Sequence, residues 1–208
     1  MQVNNVEVSW LGHASFKIKS KLVVYIDPYA GEYDEKADIV LITHDHFDHL
    51  DKSKIELVKK DETITIAPEK GAEKLSGYVR TVLPGDKMEV KGVEIEATHA
   101  YNINKPYHPK NFGVGYILTI NGIRIYHAGD TDFIPEMKEL REKVDVALLP
   151  IGGTYTMNVR EAAEAAITIK PKIAFPMHYN SLPELKANPK EFERLIKEKD
   201  PSIEVRFE

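Results

Sequence analysis

The sequence predicts an α/β protein in which two β-sheets pack together and helices cover their outer faces. Three observations carry this. Short apolar runs with strand periodicity crowd the first half, strands alternate with helical patterns in the second, and no Pro/Gly/Ser-rich linker divides them. The 208 residues therefore read as one domain, 1–208.

The elements follow in order. Val6, Val8 and Trp10 alternate with polar neighbours, Phe16 and Ile18 do the same, and Leu22 to Ile26 is an apolar run ended by Asp27-Pro28. The run Ile39 to Ile42 leads directly into Thr43-His44. Asp51 or Ser53 can cap a helix whose apolar positions Ile55 and Val58 lie three apart. Strands are expected at Thr63 to Ala67, Val79 to Leu83, Met88 to Val90 and Val93 to Ala97. Asn121-Gly122 marks a hairpin between Tyr116 to Ile120 and Ile123 to Tyr126, because both central residues tolerate positive φ. Helices at Ile134 to Arg141, Asn158 to Ile169 and Pro189 to Lys197 then alternate with strands at Val146 to Leu149, Ile173 to Met177 and Ile203 to Phe207. The similar order in the two halves hints at a duplication.

Composition excludes several chemistries. The chain has no cysteine, so disulfides, thiolate zinc sites and thiol nucleophiles are ruled out, and metal binding must use His and carboxylate. A net charge of −5 gives no global attraction to nucleic acid, which is not expected as a partner. No apolar stretch approaches the roughly 20 residues that span a bilayer, and Met1 to Trp10 lacks the basic start and apolar core of a signal peptide. A cytoplasmic protein acting on a small-molecule substrate is expected, with no membrane partner; a homo-oligomer is compatible with the composition. Abundant Lys and Glu with a single glutamine, Gln2, lean toward a hyperthermophile origin.

Chemistry concentrates in His44-Asp45-His46-Phe47-Asp48-His49, directly after a predicted buried strand. From 8 His and 12 Asp, a His-x-His-x-Asp-His run arises by chance about 7 times in 10,000 such chains, so the motif is specific. In an extended loop His44 and His46 point to one side, while Asp48 and His49, past the turn, can approach a second ion. Four groups are too few for two ions. His99, Asp130 and His178 each follow a predicted strand and extend the set to seven.

These residues and their order resemble the metallo-β-lactamase-fold superfamily over essentially the whole chain, to His178-Tyr179-Asn180. The resemblance implies an αββα sandwich. It also implies that His44, His46 and His99 hold one ion, Asp48, His49 and His178 the other, and that Asp130 bridges both. Gly12-His13-Ala14-Ser15-Phe16, His127-Ala128-Gly129-Asp130-Thr131 and Gly153-Thr154-Tyr155-Thr156-Met157 look like the branch of small metal-dependent hydrolases related to ascorbate-6-phosphate lactonase. Ala97-Thr98-His99-Ala100-Tyr101 replaces the Thr-Pro-Gly-His context common in the superfamily, which argues against glyoxalase-like and antibiotic-hydrolysing members.

Other polar residues are expected around the metals. His13, in a Gly-His turn, either faces substrate or bonds a neighbouring loop, while His127 and Asp27 orient metal-bound groups. His108, in the polar 104–111 loop, is expected to face solvent or join a lid. Tyr155 is expected to touch substrate, and Tyr101, Tyr179 and Asn180 to flank the pocket.

Two divalent ions roughly 3.5 to 4 Å apart lower the pKa of a shared water toward about 7, so no protein nucleophile is required, and Asp48 would orient the resulting hydroxide. Zinc suits this ligand set, and manganese, iron or nickel are alternatives. The expected reaction is hydrolysis of a lactone or ester of a small metabolite, phosphorylated in one version. Phosphodiester cleavage of nuclease or phospholipase type is the alternative, and a non-catalytic metal-binding protein is the alternative of another class.

Overall fold

Alternation of apolar and polar residues places each strand in one of two layers. Val6 and Val8 are buried and Glu7 is exposed in β2 (Val6–Gly12). The computed structural model describes residues 1–207 and arranges their strands in two seven-stranded sheets. The first runs in sequence order: β1 (Gln2–Val3), β2, β3 (Ser15–Lys19), β4 (Val23–Ile26), β5 (Ile39–Leu41), β6 (Ile64–Ala67) and β7 (Tyr78–Thr81). The second comprises β8 (Lys87–Val90), β9 (Val93–Ala100), β10 (Gly113–Ile120), β11 (Ile123–His127), β12 (Val146–Pro150), β13 (Ile173–Met177) and β14 (Glu204–Val205).

Both halves repeat one topology. β1 to β4 pair antiparallel and β4 to β7 parallel. β8 to β11 pair antiparallel and β11 to β14 parallel. The β2–β3 turn that carries His13 thus corresponds to the β9–β10 connection that carries His108. Asp27, after β4, corresponds to the segment after β11 that carries Asp130.

Period-two burial sorts the layers. Val24, Ile26, Ile39, Leu41 and Ile66 join the core shared with the second sheet. Tyr25, Val40, Ile42 and Ala67 point the other way and pack with Ile55 and Val58 of α1 (Lys52–Val58). Asp51 caps α1 by accepting from the Ser53 and Lys54 amides. A short α2 (Glu69–Ala72) follows β6. On the second sheet α3 (Val159–Ile169) opens with a capping box, Asn158 with Glu161, and buries four alanines and Ile169. α4 (Pro189–Lys199) starts with Pro189, whose missing amide hydrogen is harmless in the first turn.

Two expectations need correction here. Ile134 to Arg141 forms a 3-10 helix, Pro135–Leu140, closed by the short-range bonds Met137 N–H to Ile134 O and Arg141 N–H to Lys138 O. β9 does not stop at Ala97: Thr98, His99 and Ala100 pair with Gly115, Val114 and Gly113. No helix among the described residues is long and apolar enough to cross a membrane.

Candidate metal centre

The centre sits where strands of both sheets end. β5 is fully buried and delivers Thr43 and His44. Asp27, itself buried, accepts from the Thr43 amide (2.7 Å), from Thr43 Oγ1 (2.6 Å) and from His49 Nδ1 (2.7 Å), fixing both ends of the His44–His49 run. The turn closes with the His49 and Leu50 amides donating to the His46 carbonyl. The second sheet approaches closely through Gly113, where a Cβ would lie 2.9 Å from the His44 Cβ, and through Val114 N–H donating to the Thr43 carbonyl (2.9 Å).

Eight side chains converge in three overlapping groups, in each of which the ligand-type atoms lie within 4.8 Å of one another. His44, His46 and His108 form one; His13, Asp48, His49 and His178 form another; His44, His49 and Asp130 join them. His44 Nε2 and His46 Nδ1 are 3.1 Å apart. Asp130 stands between the groups: Oδ2 is 3.0 Å from His178 Nε2 and 3.3 Å from His108 Nε2, and Oδ1 is 3.4 Å from His49 Nε2.

These residues fit metal ions. His49 Nε2, His108 Nε2, His178 Nε2 and Asp130 Oδ1 are buried without a hydrogen-bond partner, an expensive state that a cation relieves. Burial keeps His44, His46 and His108 in the neutral, ligand-competent form by lowering their pKa values. Burial would raise Asp130, but the His178 and His49 imidazoles hold it well below the usual carboxylate range. Burial likewise opposes charge on His49, and the Asp130 and Asp27 carboxylates outweigh it, so its pKa is raised. Asp48, despite its burial, is pulled to about 2 by its hydrogen bond with His13. The centre therefore holds two buried carboxylates that call for positive charge.

His44, His46, Asp48, His49, Asp130 and His178 all come together as the sequence suggested. His99 does not. It lies within β9, opposite Val114, beside Tyr126, Ile134 and Met137. Its place in the constellation is taken by His108, only 2% exposed rather than solvent-facing. The loop after β9 folds back so that Asn102 N–H donates to the His108 carbonyl (2.7 Å), and Asn102 Oδ1 accepts from the His108 amide (2.9 Å) and ring Nδ1 (3.1 Å). Nε2 is left pointing at Asp130. In the sequence only the isolated Asn102, six residues before His108, marks this turn, and it carries no period.

His13 joins the centre from the β2–β3 turn. Its φ of 54° is unusual for a residue with a Cβ, and its carbonyl is held by Trp10 Nε1 (2.9 Å) and the His178 amide (2.9 Å). The ring bonds Asp48 through Nε2 (3.0 Å) and Ser181 through Nδ1 (2.5 Å). His127 fixes the turn before Asp130, with Nε2 on the Ala14 carbonyl (2.9 Å) and Nδ1 accepting from Gly129 N–H (3.2 Å). Tyr155 lines the cavity above the cluster, and its hydroxyl donates to Glu184. Asn180 does not reach that cavity: its amide clasps Ala187 through Nδ2 to O and Oδ1 to N–H, closing its own loop. Tyr101 turns its hydroxyl to Glu136, and Tyr179 stacks on Trp10.

Residues 7–178 match the family model described as the beta-lactamase superfamily domain. The chain is 38% identical to a UPF0173 metal-dependent hydrolase of Pyrococcus furiosus, over 93% of each chain. A crystal structure from Parabacteroides distasonis superposes with a TM-score of 0.86 at 39% identity, covering 97% of this chain and 92% of that one. A metallo hydrolase from the hyperthermophilic archaeon Ignicoccus hospitalis gives 0.83 at 27% identity, covering 98% and 94%.

Proposed function

The chain belongs to the beta-lactamase superfamily domain family, and from that premise we propose that it is a metal-dependent hydrolase that cleaves esters or lactones of small metabolites. One observation carries the choice of a small substrate: a cavity of about 230 Å³ opens directly over His46, Asp48, His108 and Asp130, between Phe47, Tyr107 and Tyr155.

His44, His46 and His108 would hold one divalent ion, Asp48, His49 and His178 the other, and Asp130, in reach of both groups, would join them. Zinc suits imidazole and carboxylate ligands of this kind. Bound there, the ion pair would lower the pKa of a water from 15.7 toward about 7 and stabilise the substrate oxygen that gains charge.

The protein's own part is preorganisation. Asp27 and His127 set the ligand-bearing turns, Asn102 aims His108, and His13 holds one oxygen of Asp48. Asp48 can then use its other oxygen toward the reacting water. Phe47, Tyr107 and Tyr155 would border the reacting bond.

The test is turnover by zinc- or manganese-reconstituted protein of a panel of aryl esters, lactones and phosphodiesters. Metal-dependent ester or lactone hydrolysis abolished by Asp48→Asn supports the proposal. Phosphodiester cleavage without ester turnover would replace it.

A further inference from the structure

We infer that the cavity selects a substrate whose non-reacting end is apolar and carries a positive charge, and discriminates against phosphorylated ones; this rests on the hydrolase reading above. The cavity has two ends of different chemistry. At its floor lie His46, Asp48, His108 and Asp130, and at its mouth Phe47, Tyr107, Tyr155, Leu182 and Glu184.

A phosphate at the mouth would need Arg, Lys or a helix N-terminus to receive it. No lysine or arginine lines the cavity. Lys105, two residues from Tyr107, is committed elsewhere: its Nζ bonds Asp132 Oδ1 (2.5 Å) and the Thr156 carbonyl (2.7 Å). The charged group at the mouth is Glu184. It is exposed, it has no ion-pair partner among the described residues, and Tyr155 Oη donates to its Oε1 (3.1 Å).

Aromatic faces complete the receptor. Tyr107 and Tyr155 meet edge to face at 4.7 Å between ring centroids, and Phe47, 68% exposed, also lines the cavity. Large aromatics left open beside an unneutralised carboxylate are the chemistry that recognises organic cations, the rings through their negative faces and the carboxylate through its charge. A phosphate in the same place meets the like charge of Glu184 and no basic side chain. The distal end of the substrate is therefore an ammonium-type group on a compact apolar body.

The experiment compares three aryl acetates of one shape, 4-methylphenyl, 4-(aminomethyl)phenyl and 4-(phosphonomethyl)phenyl acetate, with metal-loaded wild type and Glu184→Gln. The expected order of kcat/KM is aminomethyl over methyl over phosphonomethyl, with the first step roughly three- to tenfold. Glu184→Gln should shrink the aminomethyl-to-methyl ratio at least about threefold. A preference for the phosphonomethyl ester, or a ratio unmoved by Glu184→Gln, overturns the inference. Binding separates it from the hydrolase reading. If no ester is turned over, ligand-observed NMR with benzylamine and benzyl alcohol still decides: tighter binding of benzylamine that falls in Glu184→Gln supports the inference, and equal affinities overturn it.

Discussion

His13 Nε2 lies 3.0 Å from Asp48 Oδ2, and this bond ties the β2–β3 turn to the metal-binding run. The His13 ring is fully buried, and burial lowers its pKa, so a neutral imidazole with Nε2–H donates to Asp48 while Nδ1 accepts from Ser181 Oγ. His13→Ala is expected to weaken binding of one ion by about 10- to 100-fold, as loss of an orienting partner does. His13→Asn, which keeps a donor, should recover part of it. Calorimetric titration with zinc checks this, and equal affinities in wild type and alanine variant would remove His13 from the centre.

Asp27 is the second support. Its carboxylate receives three donors from Thr43 and His49, so Asn in its place turns an amide NH2 toward at least one of those donors. Asp27→Asn is expected to lower metal affinity by about 10- to 100-fold with the fold retained. Far-UV circular dichroism beside a competition titration against a chelator reads both.

Gly113 is a packing contact. A methyl there would stand 2.9 Å from the His44 Cβ and 3.0 Å from the Thr43 carbonyl, neither of which can swing away. Gly113→Ala is expected to destabilise the protein by about 1–3 kcal/mol and to displace His44. Urea unfolding of wild type and variant gives the difference, and an unchanged midpoint would count against the close approach of the sheets.

How much of this was legible in the sequence follows from how local each signal is. The His44–His49 run is contiguous and follows a buried apolar strand, so both the clustering of its side chains and its place in the fold could be read directly. The hairpin at Asn121-Gly122 and the capped helix at Asn158 were equally local. His108 was not. Its position depends on Asn102 and on a loop whose path is set by packing, neither of which leaves a period in the sequence. His99 misled because the end of β9 was placed three residues early: Gly113 and Gly115 allow β10 to pair as far as Ala100. Residues 134–141 close as a short 3-10 helix where the sequence pattern suggests an ordinary one.

Shared ion pairs suggest heat tolerance. Lys17 bonds both Asp34 (2.8 Å) and Glu35 (3.3 Å), Lys19 also bonds Glu35 (2.7 Å), and Arg194 pairs with Glu191 and Glu198. Shared ion pairs of this kind gain weight as temperature rises. Calorimetry is expected to place the melting midpoint above about 65 °C, and to lower it in molar salt. A midpoint in the mesophile range would contradict a thermophilic origin.

The proposed two-ion centre is completed by His108 and not by His99. Its most direct test is elemental analysis of zinc-reconstituted wild type, His108→Ala and His99→Ala after desalting. Two ions per chain in wild type and His99→Ala, falling to about one in His108→Ala, is the predicted result. Two ions retained in His108→Ala with loss in His99→Ala would contradict it.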